Sequence, residues 1–486
     1  MIPILKPDEI KKWIDNDKAS EKKRLAQKGV DYYEGRHDIQ NSKIFYVDGN
    51  GEIKEDTTKS NIKIPHPFFT ENVDQTVQYV LSGEEGIFKS DDPELQKILD
   101  ERFNENDDFN AQLYEVVQGG QVKGFEYMYA YKDKDMHTAF ECADSMGVVE
   151  VRAKDTADKC DYLIYWYIDR VGVDNEKIIR IQVWDQSQTY FYVQTENGKI
   201  ELDKEQEINP RPHTVYKKDG DKKTYYEDFG EIPFFKLSNG RKEVSALWPI
   251  KPLIDDYDIM NCGLSNNIQD TVEALYFVTG FQGQNLDELI FNIKAKKAVG
   301  APDGGSIQQF TTNVPVEARK LKMEVDEQNI YRFGFGLNTH GLKDTAATTN
   351  IAIKSAYSLL DLKANKIIIS LKQFLRKLLK IVLKEINDEH GKDYRQSDVY
   401  FRFDPEIPTN ALENAQIALT EAQVRQTEIN TVLALQDTLD NETMVQLICE
   451  QLDISYEDIK DKLPNPEGVT DLYPTETDPE DGGLVE

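Results

Sequence analysis

The chain has 486 residues, enough for several domains and a sizeable core, and a formal net charge of -30 from 88 acidic and 58 basic side chains. That balance excludes a conventional DNA-binding module, whose basic side chains would supply the grip on phosphates. Four cysteines, Cys142, Cys160, Cys262 and Cys449, form no C-x-x-C pair, which argues against a disulfide framework or structural zinc and for a reducing compartment.

MIPILKPDEIKKW is too short and too polar for a signal peptide, and no apolar window of membrane-spanning length follows. Residues 7–35 are predicted as one helix, with Pro7 and Asp8 at its start and Ile10, Trp13 and Ile14 on one face. IFYVDGNGEIK at 44–54 carries a hairpin signal, with Asp48-Gly49-Asn50-Gly51 as the turn. Pro65 and Pro67 then precede a helix from about Phe69 to Leu81 that ends at Gly83. Two further helices are expected over Asp92–Glu105 and Ala111–Gly119.

Residues 124–237 alternate β-branched, aromatic and polar side chains between turns and predict an antiparallel β-rich domain. Aromatics at this density could stack bases, but no basic stripe accompanies them, so they read as core and sheet surface. Residues 246–280 return to helix. They hold Asp255, Asp256 and Asp258, residues of a kind that can bind metal or do acid–base work. With Lys251 the one close base and no histidine nearby in sequence, a solvated acidic face is expected. His137, Glu141 and Cys142 lie in an alternating stretch that points them to opposite faces, which argues against a metal site.

Residues 286–317 read as a compact insertion in which a short helix leads to Lys294, Lys296 and Lys297, then a Pro302-Asp303-Gly304-Gly305 turn flanked by strands. The three lysines fit a docking patch for an acidic partner or a phosphate contact; a solvated turn is the alternative. Glu317–Arg332 is predicted helical. A small-residue, threonine-rich loop, 336–350, follows.

Ile351 to about Asn387 is the longest helical pattern in the chain, with neither proline nor glycine, roughly 55 Å at 1.5 Å per residue. Ile353, Leu360, Ile367, Phe374 and Ile381 recur every seventh residue, with Tyr357, Ala364, Leu371 and Leu378 between them. A second apolar set, Leu359, Leu362, Ile368, Ile369, Leu375, Leu379 and Leu383, predicts packing on more than one side. This is either the central helix of a large domain or a helix shared with a neighbouring copy.

SDVYFRFDPEIPTN at 397–410 is predicted as a strand pairing with the earlier β-domain. Residues 411–462 are helical, broken and capped at Asp440-Asn441, and the tail after 462 is expected to be disordered. Residues 411–486 carry 18 acidic and 3 basic side chains, a net of -15 and so half the chain's total. The long helix has the opposite sign, with Lys354, Lys363, Lys366, Lys372, Arg376, Lys377, Lys380 and Lys384 against Asp361 and Glu385. No phosphate-binding G-x-x-x-x-G-K-[ST], no H-E-x-x-H and no G-x-S-x-G is present.

Several segments in this order resemble the portal proteins of tailed bacteriophages, in the branch of siphophages of Gram-positive hosts. They are YYEGRHDI; NIKIPHPFFTENVDQTVQYVLSGEEGIF; VVQGGQVKGFEYMYAY; the helix–insertion–helix arm at 246–335; the loop and long helix; and FDPEIPTNALENAQI. The resemblance runs from about residue 7 to 462. It implies an α+β portal fold and a ring, twelvefold in the virion, at one capsid vertex. Residues 1–245 with 395–410 would form a helical and β-rich wing, 246–275 and 317–335 the two stem helices, and 276–316 a small α/β clip. Residues 336–350 would be the tunnel loop, 351–390 the long central helix, 391–410 a returning wing strand, 411–462 a helical crown and 463–486 a disordered acidic tail.

The resemblance further implies a structural protein with no catalytic activity, no cofactor, no metal and no membrane contact. Its partners would be copies of itself, double-stranded DNA passing through the channel, terminase, a head-completion adaptor, and major capsid and scaffolding proteins. Asn338, Thr339, His340, Lys343, Thr345, Thr348 and Thr349 would face the DNA, and Lys294, Lys296 and Lys297 the adaptor. A mostly acidic channel with sparse positive charge suits a duplex that must slide. The alternatives are a metal-dependent nuclease built on Asp255, Asp256 and Asp258, or another capsid or tail protein without a channel.

Overall fold

A computed structural model describes residues 5–57, 59–83, 85–152, 160–171, 176–194, 198–217, 224–270, 275–279, 306–310, 315–338, 350–405, 411–435, 439–452 and 454–456. The chain is α+β and divides into two units. The first comprises residues 1–345 with 354–407, and the second 346–353 with 408–486.

In the first unit, the single helix expected over 7–35 is two: α1 (Pro7–Lys18) and α2 (Glu21–Tyr33). Ser20 divides them, because its hydroxyl accepts from the Lys23 N–H and so starts a new helix. The expected hairpin is present as β1 (Phe45–Val47) and β2 (Ile53–Glu55), paired antiparallel, with Gly51 at φ 83° in the turn. α3 (Phe68–Leu81) agrees with its sequence signals. After β3 (Phe88–Lys89) comes α4 (Pro93–Leu99), capped by Asp92 and followed by a π-turn over Asp100–Asn104. α5 (Asp107–Lys123) outruns its expected span because Asn106 caps it earlier and Gly124, at φ 93°, ends it later.

The β-rich region forms two main sheets. β4 (Phe125–Lys132) lies between β5 (Thr138–Ala143) and β14 (Phe234–Ser238). The larger sheet is antiparallel, in the order β10-β9-β8-β7-β6, built from β6 (Val148–Arg152), β7 (Cys160–Val171), β8 (Glu176–Trp184), β9 (Gln188–Gln194) and β10 (Ile200–Leu202). β11 (Arg211–Pro212) pairs with β9, and β12 (Thr214–Lys217) with β13 (Thr224–Glu227). α1 covers the larger sheet, seating Ile10 and Ile14 against Val149, Ile164, Ile181 and Tyr192. The aromatics are core and sheet residues, as expected: Phe234 stacks on Tyr129 and meets Tyr165 and Trp184 edge-on.

α6 (Lys251–Asp270) is followed by a strand, β15 (Leu275–Thr279), where helix was expected. The sequence LYFVT is β-branched and aromatic, and pairing with β16 (Ser306–Phe310) overrides the helical reading. α7 (Val316–Gly334) packs against α6. The long helix α8 (Asn350–His390) is the spine of the main core. Leu360, Ala364, Ile367, Leu371, Phe374, Leu378 and Ile381 of its seam are buried, with Ile368, Leu375, Leu379 and Leu383 of the second set. They meet Phe69, Val73 and Val77 of α3 and Leu113 and Val117 of α5. Most of the second set thus packs within its own chain, while Leu362 and Ile369 stay more than 60% exposed.

The returning strand is shorter than expected. β17 (Tyr400–Phe401) pairs with β3, outside the β-rich region. Phe401 packs edge-on against Phe88, and that aromatic contact selects the partner.

Residues 60–66 run extended along α6 in the opposite direction. The N–H groups of Ser60, Ile62, Ile64 and His66 donate to Asp270 Oδ1, Asn266 Oδ1, Cys262 Sγ and Asp258 Oδ1 at 3.1, 2.7, 3.2 and 3.0 Å. Two extended residues advance about 6.6 Å and four helical residues about 6.0 Å, so alternate N–H groups meet one acceptor per near-turn of helix.

In the second unit, α9 (Ala411–Leu433) and α10 (Asn441–Gln451) pack together. The break falls where expected, with the Asp440 carboxylate accepting from the Thr443 N–H at 2.7 Å. The expected disordered tail, 463–486, lies outside the described residues.

Candidate functional site: the root of the 336–349 loop

Three side chains on one face of α3 hold the point where α7 gives way to the loop. Glu71, Asn72 and Gln75 belong to neighbouring turns, so they present together. Glu71 Oε2 accepts from the Tyr331 hydroxyl at 2.7 Å. Gln75 makes a reciprocal amide pair with Leu337: the Leu337 N–H donates to Oε1 at 3.0 Å and Nε2 donates to the Leu337 carbonyl at 3.2 Å. Asn72 Oδ1 accepts from Lys363 Nζ at 2.8 Å, and the same amine donates to the Gly334 carbonyl at 3.1 Å. Lys363 comes from α8, the helix beyond the loop. One amine therefore joins three elements: the second turn of α3, the end of α7 and the fourth turn of α8.

The backbone at this point is specialised. Phe335 takes a left-handed conformation at φ 57°, which costs a residue with a side chain about 1–2 kcal/mol. The Gly336 N–H then donates back to the Tyr331 carbonyl at 2.9 Å. A Cβ on Gly334 would lie 2.4 Å from Asn72 Nδ2, and one on Gly336 2.6 Å from it. The two glycines let the buried amide of Asn72 approach the backbone; its Nδ2 has no hydrogen-bond partner among the described residues.

Burial pushes the Lys363 amine down to about 7, with the neighbouring Lys366 adding to the effect. A lysine in the unfolded chain holds its proton up to about pH 10. Between these values the unfolded chain binds a proton that the folded chain does not, so stability rises with pH over this window. The melting temperature of the natural protein minus that of a Lys363→Met variant should therefore climb by roughly a few degrees between pH 7 and 9. A flat difference would mean that the amine keeps its charge.

Of the residues expected to face DNA, Asn338 is described; it follows the Leu337 clasp and is half-buried. Thr339, His340, Lys343, Thr345, Thr348 and Thr349 lie outside the described residues, as do Lys294, Lys296 and Lys297.

The three aspartates of α6 do not converge. Asp255 accepts from Tyr32 Oη and from Lys251 at 2.7 Å, and Asp256 from Lys322. Asp258 is fully buried, contrary to the expected solvated face, and accepts from His37 Nδ1 and His66 Nδ1, each at 2.7 Å. Burial raises the Asp258 carboxyl, and the two histidines more than offset this, holding it below the usual carboxylate range. His37 stacks on the Tyr32 ring at 4.4 Å, and its Nε2 lies 3.2 Å from the Tyr32 carbonyl. Both histidines were missed in the sequence because 221 and 192 residues separate them from Asp258. Among the described residues no group of three or more His, Cys, Asp and Glu could hold a metal ion.

The family described as "Phage portal protein, SPP1 Gp6-like" matches residues 11–455. The portal protein of Bacillus phage SPP1 is 26% identical over 339 residues, 70% of this chain and 65% of that protein. The portal protein of Clostridium phage phiCD119 is 27% identical over 211 residues, 42% of this chain and 46% of that protein. The chain therefore spans less than two thirds of the length of either relative. Among solved structures, a chain in the neck of an empty GTA particle aligns over 79% of this chain and 90% of its own length, at 12% identity and a TM-score of 0.39. A chain in the neck of a native GTA particle aligns over 78% and 90%, at 13% identity and a TM-score of 0.37.

Proposed function

The chain belongs to the SPP1 Gp6-like family of phage portal proteins, and on that premise we propose that copies of it close into a ring at one vertex of the virion capsid. DNA enters and leaves the capsid through the hole, and the ring is the dock for the terminase motor on one side and a head-completion adaptor on the other. The protein is structural and performs no catalysis. The observation that carries this reading is the family match over residues 11–455.

Within that frame α6 and α7 are the stem, residues 276–316 the clip that meets the adaptor through Lys294, Lys296 and Lys297, and residues 338–349 the loop that touches DNA. α9 and α10 are the crown, and the remainder of the first unit is the wing. The order of elements supports these roles: two packed helices flank an antiparallel strand pair, and the longest helix begins 16 residues after the second of them ends. The clasp of Leu337 by Gln75, and of Gly334 by Lys363, supports a loop held firmly at its root.

The net charge of -30 suits a conduit better than a trap, because every basic contact with the duplex would strengthen the hold by releasing counterions. Negative-stain images of the purified protein should show rings with a central hole when averaged down the symmetry axis. A solid particle, or a monomer persisting at high concentration, would overturn the reading.

A further inference from the structure

A cavity of about 490 Å³ opens in the first unit beside the end of α7, a volume within the range of ordinary binding pockets. Its apolar wall includes Trp248, Phe333, Phe335 and Leu362. Phe333, Phe335 and Leu362 are 47%, 41% and 61% exposed. Leu362 belongs to the second apolar set of α8 and is one of the two members that stay outside the main core.

The charge around this cavity runs against that of the chain. Arg241, Lys242, Lys363 and Lys366 line it, and no aspartate or glutamate does, although acidic side chains outnumber basic ones 88 to 58 in the sequence. None of the four cationic residues has an ion-pair partner among the described residues. Lys363 donates to two neutral oxygens, of Asn72 and of Gly334. The buried indole N–H of Trp248 has no acceptor among the described residues. Donors and an apolar wall are thus gathered where no carboxylate answers them.

We propose that this cavity docks an acidic peptide segment of a partner protein. One large apolar side chain of the segment enters between Trp248, Phe333 and Leu362, and carboxylates on either side of it pair with Arg241, Lys242 and Lys366. The cations come from two elements, the turn after β14 and α8, which suits several carboxylates spaced along a chain better than one small anion. The volume admits a side chain and not a duplex. The net charge of -30 also repels a long polyanion far more than a short peptide. The inference goes beyond the ring reading and does not rest on it.

The test measures fluorescence anisotropy of a labelled peptide, Asp-Glu-Asp-Leu-Phe-Glu-Asp-Glu, against the full-length protein. Saturable binding is expected. It should be lost when Leu-Phe is replaced by Gly-Ser, and lost when the acids are replaced by their amides. Arg241→Glu and Lys366→Glu, both at exposed positions, should each weaken binding by about tenfold. A peptide with lysines in place of its acids should bind the double variant and not the natural protein.

No binding, or equal binding of the Gly-Ser peptide, would overturn the proposal, the latter because charge alone would then account for the contact. Tighter binding of a single-stranded oligonucleotide that the same two substitutions abolish would overturn it in favour of nucleic acid. Peptide binding that disappears as the protein assembles would assign the cavity to a neighbouring copy and overturn it as well. None of these results bears on whether rings form.

Discussion

Asp258→Ala should destabilise the first unit by about 3 kcal/mol, because it strands the fully buried His37 Nδ1 and removes the acceptor of two partly buried His66 donors. The side chain of Asp258 accepts from the rings of His37 and His66 and from the His66 backbone N–H. Neither Asp258 nor His37 is reached by water to any useful extent. The loss also removes one rung of the fastening between residues 60–66 and α6. For roughly 400 residues, such a change corresponds to a melting temperature lower by about 5 °C.

Asp256→Ala is the control: that carboxylate faces Lys322 with both side chains about two-fifths exposed, and should cost no more than about 1 kcal/mol. The effect should also depend on acidity. The folded carboxyl of Asp258 is held below its usual range, so its contribution is present above about pH 4 and disappears as pH falls through the folded value. The gap between natural protein and variant should close on acidification. Equal melting temperatures for the Asp258 and Asp256 variants at pH 7 would show that the hub holds nothing.

Replacing residues 338–348 with a glycine–serine sequence of equal length should abolish DNA packaging while rings still form. The exchange begins just after the backbone of Leu337, which Gln75 grips on both sides, and ends before α8 starts. The root therefore keeps Tyr331, Gly334, Leu337 and Lys363 in their bonds, and the chain keeps the length to reach α8. What changes is the set of polar and positive side chains, His340, Lys343 and the threonines, that we propose meet the duplex. Particles assembled with this variant should be counted for full and empty heads. Normal filling would remove the role assigned to the loop; loss of rings would mean that the loop builds the assembly.

Much of the fold was legible because its signals are local. The 44–54 hairpin announces itself through four turn residues, and Asp440 marks its helix start with a cap that needs only Thr443. The α8 seam is a period, and its residues from Leu360 to Ile381 are buried. Failures came where a distant partner decides. Asp258 looked like part of a solvated face because nothing near it in the chain contradicts that; its histidines arrive by folding. Tyr400 and Phe401 follow Phe88 rather than the β-rich region, a choice made by an aromatic contact across more than 300 residues. Of the candidate site, sequence pointed to the loop but not to its root, since Asn72, Gln75 and Lys363 have no motif, and Gln75 and Lys363 grip backbone atoms hundreds or tens of residues away.

The side-by-side run of residues 60–66 and α6 works like a vernier, two scales of nearly equal spacing. The step of about 6.6 Å on one gains about 0.6 Å on the 6.0 Å step of the other. Over the three intervals from Ser60 to His66 the slippage reaches about 2 Å, near the limit that side-chain reach can absorb. Adding one residue between Ser60 and His66 would turn the donors to the opposite edge, and adding one between Asp258 and Asp270 would rotate the acceptors about 100° away. Both spans are thereby locked to their present lengths, and growth or shortening of the chain is free to occur only outside them.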